Sequence, residues 1–317
     1  MKTTGTDYAS LTGVLIDLCK SILEKYSPLL LDLAVLKDRA QLPNNRHPGN
    51  FLSRMDLSVQ GDFLGGFLKI FPSFVLASEE DDPQTYPKQT AGMPEHVVII
   101  DPLDTSELAV RSLFGYTHVV VYSIKEQLPV ISIVGDFFHY TQFFYAFRDS
   151  AGVDRAFLRT RDGRVFPLTT SQEATLGKAL VTNYSLRPAE RFAKLAEQRR
   201  FLELLGRADS TGQAEGRIGV DFGSVGLCHV AAGFTDAMVE FAKGFKLWDL
   251  LPGHHILNAA GGKLASLDGK PISLNLGIQD PASLQAVMET RRKFIAGGNS
   301  TLVNAILGSL VLSGNNP

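Results

Sequence analysis

The sequence predicts an α+β fold built in layers, and three features carry that prediction. Helical stretches and β-branched runs come in blocks, without strict strand–helix alternation. From Thr117 to Phe166 apolar and polar residues alternate between turn signals such as Lys125-Glu126-Gln127 and Arg161-Asp162-Gly163, as antiparallel strands do. The run "HVVIID", His96 to Asp101, leads straight into a second aspartate and the start of a helix. Such blocks argue for separate sheets covered by helices and against one doubly wound parallel sheet.

Each element follows in order. Leu11, Val14, Leu15, Leu18, Cys19, Ile22 and Leu23 recur at helical spacing opposite Asp17, Lys20 and Glu24, which predicts an amphipathic helix ending near Pro28. "QLPNNRHPG", Gln41 to Gly49, reads as an exposed loop. A second helix is expected over Gly61 to Phe71, stopped by Pro72. "FVLAS" from Phe74 is then a short buried strand that delivers Glu79 and Glu80. Asp81 to Glu95 reads as a polar loop before "HVVIID". The character changes near Leu180. "ALVTNYS" is a short strand, and Pro188 to Gly206 a charged helix with Phe192, Leu195, Ala196, Leu202 and Leu205 inward. Gly226 to Gly233 is a small-residue helix, "TDAMVEF" a strand, and "HHILNAAGGKL" a helix closed by Gly261-Gly262. "KFIAGG" is a late strand before a terminal helix. The expected division is an α+β subdomain over 1–175 and an α/β subdomain over 176–317, the two sharing one active-site cleft.

Composition narrows the function. The 317 residues are 44% apolar and 20% charged, an ordinary globular balance. With 31 basic against 33 acidic residues and no basic stripe, a nucleic-acid polymer is not an expected partner. Cys19 and Cys228 fall in apolar, helix-like contexts and make no disulfide framework, so a reducing, cytoplasmic setting is expected. No signal core and no apolar run near the ~20 residues of a membrane span is visible.

The acidic residues carry the chemistry. Glu79 and Glu80 end one strand, Asp101 and Asp104 end another, and Asp249 follows the single tryptophan in "KLWDLLPGHH". Each lies beside strongly apolar sequence, where an uncompensated carboxylate is costly. Oxygen ligands from several elements suit Mg²⁺ or Mn²⁺, and no histidine–cysteine cluster offers a zinc site. Asp104 can cap a helix whose first N–H groups, at Thr105 and Ser106, would hold phosphate. Taken singly the motifs are bland: "DPLD" is common cap chemistry, Glu79 to Asp82 a solvated acidic loop, and Trp248 a core anchor. Their joint occurrence points to phosphoryl transfer.

In order, these motifs resemble the inositol monophosphatase superfamily of Mg²⁺-dependent, often lithium-sensitive phosphatases. The matching stretches are "DLSVQGD" (Asp56 to Asp62), "ASEE" (Ala77 to Glu80), "IDPLDTSE" (Ile100 to Glu107) and "WDLLPGHHILNAAGG" (Trp248 to Gly262). "FGSVGLCHVAAGFTDAMVE" and "RRKFIAGGNSTLVNAIL" extend the likeness over most of the chain. The resemblance implies an αβαβα sandwich of the inositol monophosphatase and fructose-bisphosphatase type, a homodimer, and two or three Mg²⁺ ions with Mn²⁺ as a substitute. It implies that Glu79, Asp101 and the Leu103 carbonyl hold the metal that activates water, and that Asp101, Asp104 and Asp249 hold a second. It further implies phosphate on Thr105 and Ser106, and Asp62 orienting Ser106 to take a proton from the attacking water, with Glu79 polarising the same water. Departures are Thr105 in place of a glycine, Val59 in place of a threonine, Leu251-Pro252 in place of Ala-Ala, and Asn258 near a usual glutamate.

The leading expectation is a phosphatase acting on a small phosphomonoester: an inositol phosphate, a sugar phosphate, histidinol phosphate or a 3′-phosphonucleotide. Glu240, Lys243 and Lys246 are the specificity candidates. The alternative is a non-catalytic phosphate- or metal-binding regulator that retains the fold, which Thr105 encourages. A two-metal nuclease is the third reading, disfavoured by the missing basic groove.

Overall fold

The computed structural model describes residues 6–88 and 92–311, so residues 89–91 of the expected Asp81–Glu95 loop lie outside it. The chain forms two compact units, Met1–Pro167 with Leu274–Glu289, and Leu168–Ser273 with Thr290–Pro317. The first crossing therefore comes earlier than the expected break after residue 175, and a later segment rejoins the first unit. No described helix is long and apolar enough to cross a membrane.

The first unit opens on α1, Tyr8–Leu36, which contains Pro28 and does not end there. An interior proline costs about 3 kcal/mol through its missing N–H and its clash with the preceding turn. Burial of Tyr26 and Leu30 on either side, each worth about 1.5–3 kcal/mol, offsets it. The Ser27 hydroxyl lies 2.6 Å from the Leu23 carbonyl and 2.8 Å from the Phe137 carbonyl, tying this turn to the sheet side. Helix α2, Arg54–Ile70, starts well before the expected Gly61. Ser53 caps it, accepting from Met55 N at 3.1 Å, while Asp56 accepts from Ser53 N at 2.8 Å, a reciprocal capping box.

Strands β1 (Phe74–Ser78), β2 (Gln84–Tyr86), β3 (His96–Asp104), β4 (Tyr116–Ser123), β5 (Leu128–Asp136), β6 (Thr141–Arg148), β7 (Asp154–Thr160) and β8 (Val165–Pro167) form a sheet in the order β2-β1-β3-β4-β5-β6-β7-β8. Only the β1–β3 pairing is parallel, which brings their carboxyl ends together. The one-turn helix α3, Ser106–Ala109, lies between β3 and β4. Strand β2 falls in the expected polar loop; its Tyr86 pairs with Phe74 and stacks on that ring at 5.4 Å. Apolar faces of α1 and α2 meet Leu76, Val98, Ile100, Val119 and Ile131 of the sheet in a continuous core. Within it Phe67 packs at 5.6 Å from Phe63 and 6.1 Å from Phe74.

The second unit contains β9 (Leu180–Asn183), α4 (Ala193–Ala196), α5 (Arg199–Leu205), β10 (Arg217–Val220), α6 (Gly223–Ala231), β11 (Ala237–Phe245), α7 (Leu247–Ala259) and β12 (Lys263–Ala265). After α8 (Pro281–Glu289) in the first unit come β13 (Arg292–Gly297) and α9 (Ser300–Leu307). Their sheet runs β10-β9-β11-β13-β12, with β10, β9 and β11 parallel and β13 antiparallel to both neighbours. The single helix expected over Pro188 to Gly206 is broken. A π turn at Pro188–Phe192 precedes α4, and α5 restarts at Arg199. The break shifts the inward face: Leu195, Phe201 and Leu205 are buried, whereas Phe192 is 54% exposed and Ala196 is also outside.

Candidate active site

Ser78 of β1 pairs with Ile100 of β3, so the next residues, Glu79 and Asp101, leave the sheet side by side. Glu79 N donates to the Ile100 carbonyl at 3.3 Å, extending the pairing one step further. The β3 ladder then breaks between Asp101 and Asp104, where Pro102 has no N–H to give. Asp101 Oδ1 accepts from Leu103 N at 3.1 Å and fixes that bend. Asp101 is 1% exposed and the Asp104 side chain 13%.

His118 of β4, fully buried, stands in register with Asp101. Its Nδ1 lies 3.9 Å from Asp101 Oδ2 and its Nε2 3.5 Å from Asp104 Oδ2. Sequence reasoning did not single out His118, because one histidine inside "YTHVVVYS" reads as strand core. The oxygens of Asp101 and Asp104 around His118 fit a hard divalent cation, which supplies the positive charge such a group needs.

Ser106 opens α3. Its Oγ lies 2.5 Å from Asp56 Oδ1 and 2.8 Å from the Leu103 carbonyl. Asp56 is fully buried and is held from its other oxygen by Ser53 N at 2.8 Å and Ser53 Oγ at 2.6 Å. Burial raises the Asp56 carboxyl above its ordinary range, against the lowering effect of those hydrogen bonds. Asp62, expected to orient Ser106, sits instead on the outer part of α2 and pairs with Lys25 Nζ at 2.5 Å. The correction has a local cause: Ser53-Arg54-Met55-Asp56 is the hydroxyl-x-x-carboxylate pattern that starts α2, one turn and more before Asp62. That capping signature is the signal that finds it.

Thr105 adopts the left-handed conformation, φ 62° and ψ 37°, the backbone a glycine enters freely. A β-branched residue there costs about 1–2 kcal/mol. Its hydroxyl donates to the Asp104 carbonyl at 2.6 Å. Thr105→Gly is therefore expected to stabilise the chain by about 1 kcal/mol in urea unfolding, the strain relieved outweighing the extra entropy of glycine.

Glu80 is half-buried, and burial together with the Asp56 charge pushes its carboxyl up to about 8, with Arg46 opposing. A folded pKa above the ordinary 4.5 means that its contribution is fully present below about pH 4.5 and is lost as pH rises through 8. Metal-free protein should thus show a melting temperature that falls from pH 5 to pH 9, and Glu80→Gln should flatten the fall.

In the second unit Asp249 occupies the first turn of α7, which begins at Leu247 and so takes in the whole tryptophan segment. Lys246 N reaches Asp249 Oδ2 at 3.4 Å. Burial raises the Asp249 carboxyl to about 6, opposed by Arg291, the Lys246 N–H, Arg191 and Lys246. The Ser224 hydroxyl of α6 donates to the Asp249 carbonyl at 2.6 Å and accepts from Gly253 N at 3.1 Å, bridging the helix ladder just after Pro252. A Cβ on Gly253 would stand 2.5 Å from the Ser224 carbonyl oxygen and 2.7 Å from Leu227 Cβ. Gly253→Ala should therefore lower stability by about 1–3 kcal/mol in chemical denaturation and displace the turn that carries Asp249.

Trp248, 1% exposed, is a core anchor. Glu240 is fully buried, pairs with Arg191, and its Oε1 accepts from Ala242, Lys243 and Gly244 N–H at 2.9 to 3.1 Å. Its carboxylate thus shapes the irregular end of β11 that leads to α7. Arg191 stacks 4.2 Å from the Tyr184 ring centroid. Lys243 Nζ pairs with Glu190 at 3.1 Å, and Lys246, 7% exposed, lies 5.8 Å from the Trp248 ring centroid.

A model of the inositol monophosphatase family matches residues 13–306. The chain belongs to the inositol monophosphatase family. Membership makes it a phosphatase of the metal-dependent kind, a phosphoric monoester hydrolase. Among solved structures, an inositol monophosphatase family protein from Staphylococcus aureus MSSA476 aligns with a TM-score of 0.64 at 16% identity, covering 95% of this chain and 96% of that one. The extragenic suppressor protein suhB from Bartonella henselae aligns at 0.61 and 16%, covering 94% and 98%. A dual specific IMPase/NADP phosphatase bound with D-inositol-1-phosphate aligns at 0.63 and 18%, covering 94% and 95%. At these identities the likeness carries the α+β fold of the family. No curated protein matches the chain by sequence.

Proposed function

We propose that this inositol monophosphatase family member hydrolyses a small phosphomonoester with Mg²⁺, or Mn²⁺ in its place, at the carboxyl ends of β1 and β3. The observation that supports this most is the Ser106–Asp56 pair set directly behind the Asp101–Asp104 bend. Glu79, Asp101, the Leu103 carbonyl and Asp104 would hold the ions, and the family resemblance adds Asp249 as a ligand. Bound there, a divalent cation supplies a Lewis acid for phosphoryl oxygens and acidifies a water.

The chain's own residues do the rest. Asp56, anchored through Ser53, accepts the hydrogen bond of the Ser106 hydroxyl, so that as Ser106 Oγ takes the proton of an attacking water its own proton passes to Asp56. Glu79 polarises the same water. The N–H groups of Thr105 and Ser106, at the left-handed turn that opens α3, would bind the phosphate. Direct in-line attack needs no phosphoenzyme.

Candidate substrates are inositol phosphates, sugar phosphates, histidinol phosphate and 3′-phosphonucleotides; neighbours of the same fold are known bound with D-inositol-1-phosphate and complexed with NADP. Lys243 and Lys246 are the side chains we assign to the leaving group, Glu240 acting through the end of β11 that it anchors. A homodimer is the assembly expected. The test is release of inorganic phosphate across a panel of these monoesters with Mg²⁺ and with EDTA. Turnover on at least one, abolished by EDTA, is the expected result. Tight binding without turnover on any would favour the non-catalytic regulator.

A further inference from the structure

We infer that His118 is a nitrogen ligand of the metal site, which shifts the site's preference from Mg²⁺ toward Mn²⁺. The inference rests on the phosphatase reading above, since it concerns the same carboxylates, but it adds a donor of a different chemical class.

The geometry points this way in three respects. His118 is fully buried on β4, directly across the ladder from Asp101, so its ring has little freedom to turn elsewhere. Thr117, beside it, sends its hydroxyl to the Asp101 carbonyl at 3.3 Å and fixes the strand against the bend. Each ring nitrogen faces a different carboxylate, Nδ1 toward Asp101 at 3.9 Å and Nε2 toward Asp104 at 3.5 Å. A neutral imidazole has one N–H and one lone pair, so one ring nitrogen turns its lone pair toward a carboxylate. A cation shared between that lone pair and the carboxylate turns repulsion into joint ligation.

The separations suit this arrangement. Neighbouring donors of an octahedral ion at about 2.1 Å stand about 3.0 Å apart. His118 Nε2 and Asp104 Oδ2, at 3.5 Å, need to close by only about half an ångström to share one. With Nε2 as the ligand, the proton of the neutral ring stays on Nδ1. Mg²⁺ gains little from an imidazole, whereas Mn²⁺ and later divalent ions accept one readily.

The test uses the full chain freed of metal and then loaded with Mn²⁺. Calorimetric titration gives Mn²⁺ and Mg²⁺ affinities, and pulsed electron paramagnetic resonance of the Mn²⁺ protein, with and without ¹⁵N-histidine, reports any directly bound ring nitrogen. The expected result is a histidine nitrogen coupling that is lost in His118→Val and in His118→Asn. In both variants the ratio of Mn²⁺ to Mg²⁺ affinity should fall at least tenfold. Asparagine covers the case in which valine does not fold, and the isotope shift in the unaltered protein stands without either. Saturable Mn²⁺ binding with no histidine coupling, or a coupling that survives both substitutions, overturns the assignment and leaves the phosphatase site standing. No saturable Mn²⁺ binding at all removes both.

Discussion

Asp56→Asn should lower kcat for phosphate release by about 10²–10⁴, while Asp62→Asn leaves it unchanged. The two carboxylates lie on the same helix, yet their settings differ. Asp56 is fully buried, and its Oδ1 lies 2.5 Å from the Ser106 hydroxyl. Asp62 pairs with Lys25 across side chains that are 35% and 55% exposed. An exposed pair of this kind contributes about 0–1 kcal/mol to stability. Asparagine at 56 can still accept from Ser53, so the start of α2 persists, but the charge that makes Ser106 a proton acceptor is gone. The loss should therefore appear in kcat with KM little changed, as for an interaction made in the transition state. Ser106→Ala should lose as much, and the double variant little more, because the two groups act as one unit. Initial rates at saturating substrate decide it. Equal losses at both aspartates would break the proposed pairing.

The second large effect is thermal. Metal ions that bind the folded chain alone stabilise it by about 2.7 kcal/mol at one hundred times Kd. Millimolar Mg²⁺ or Mn²⁺ should therefore raise the melting temperature by several degrees. Asp104→Asn should lower metal affinity more than the 10- to 100-fold that loss of a supporting partner costs, since Asp104 is assigned a direct ligand. Its sign without metal is the sharper diagnostic. Asp101 and Asp104 are like charges at the ends of one short bend, so removing one relieves repulsion. The variant should be more stable than the original chain in EDTA and less stable in Mn²⁺. Differential scanning calorimetry in the two conditions measures both arms. A variant that melts lower in both would mean that Asp104 serves the fold and not a cation.

Much of this was legible in the sequence because burial and charge conflict visibly there. A run of β-branched residues ending in Asp101 and Asp104 announces acids at the edge of a core, and the strand-end placement of Glu79 beside Asp101 follows from the parallel pairing of β1 with β3. What escaped is what depends on partners distant in the chain. Pro28 looks like a helix stop until Leu30 beyond it is seen to be fully buried. The polar stretch holding Gln84–Tyr86 gains a strand only because Phe74 offers Tyr86 a ring to stack on. Phe192 looks inward on an unbroken helix and turns outward once the π turn resets the register. The resemblance points to Asp62, six residues beyond Asp56, whereas Ser53-x-x-Asp56 is a capping pattern in its own right. His118 is invisible among valines because nothing local distinguishes a core histidine from one facing two acids.

The most direct measurement is an anomalous difference map from crystals soaked in Mn²⁺. The account predicts a peak within coordination range of Glu79, Asp101 and Asp104, lost in Asp101→Asn. No peak there, or one elsewhere on a chain that still releases phosphate in a metal-dependent manner, would contradict it.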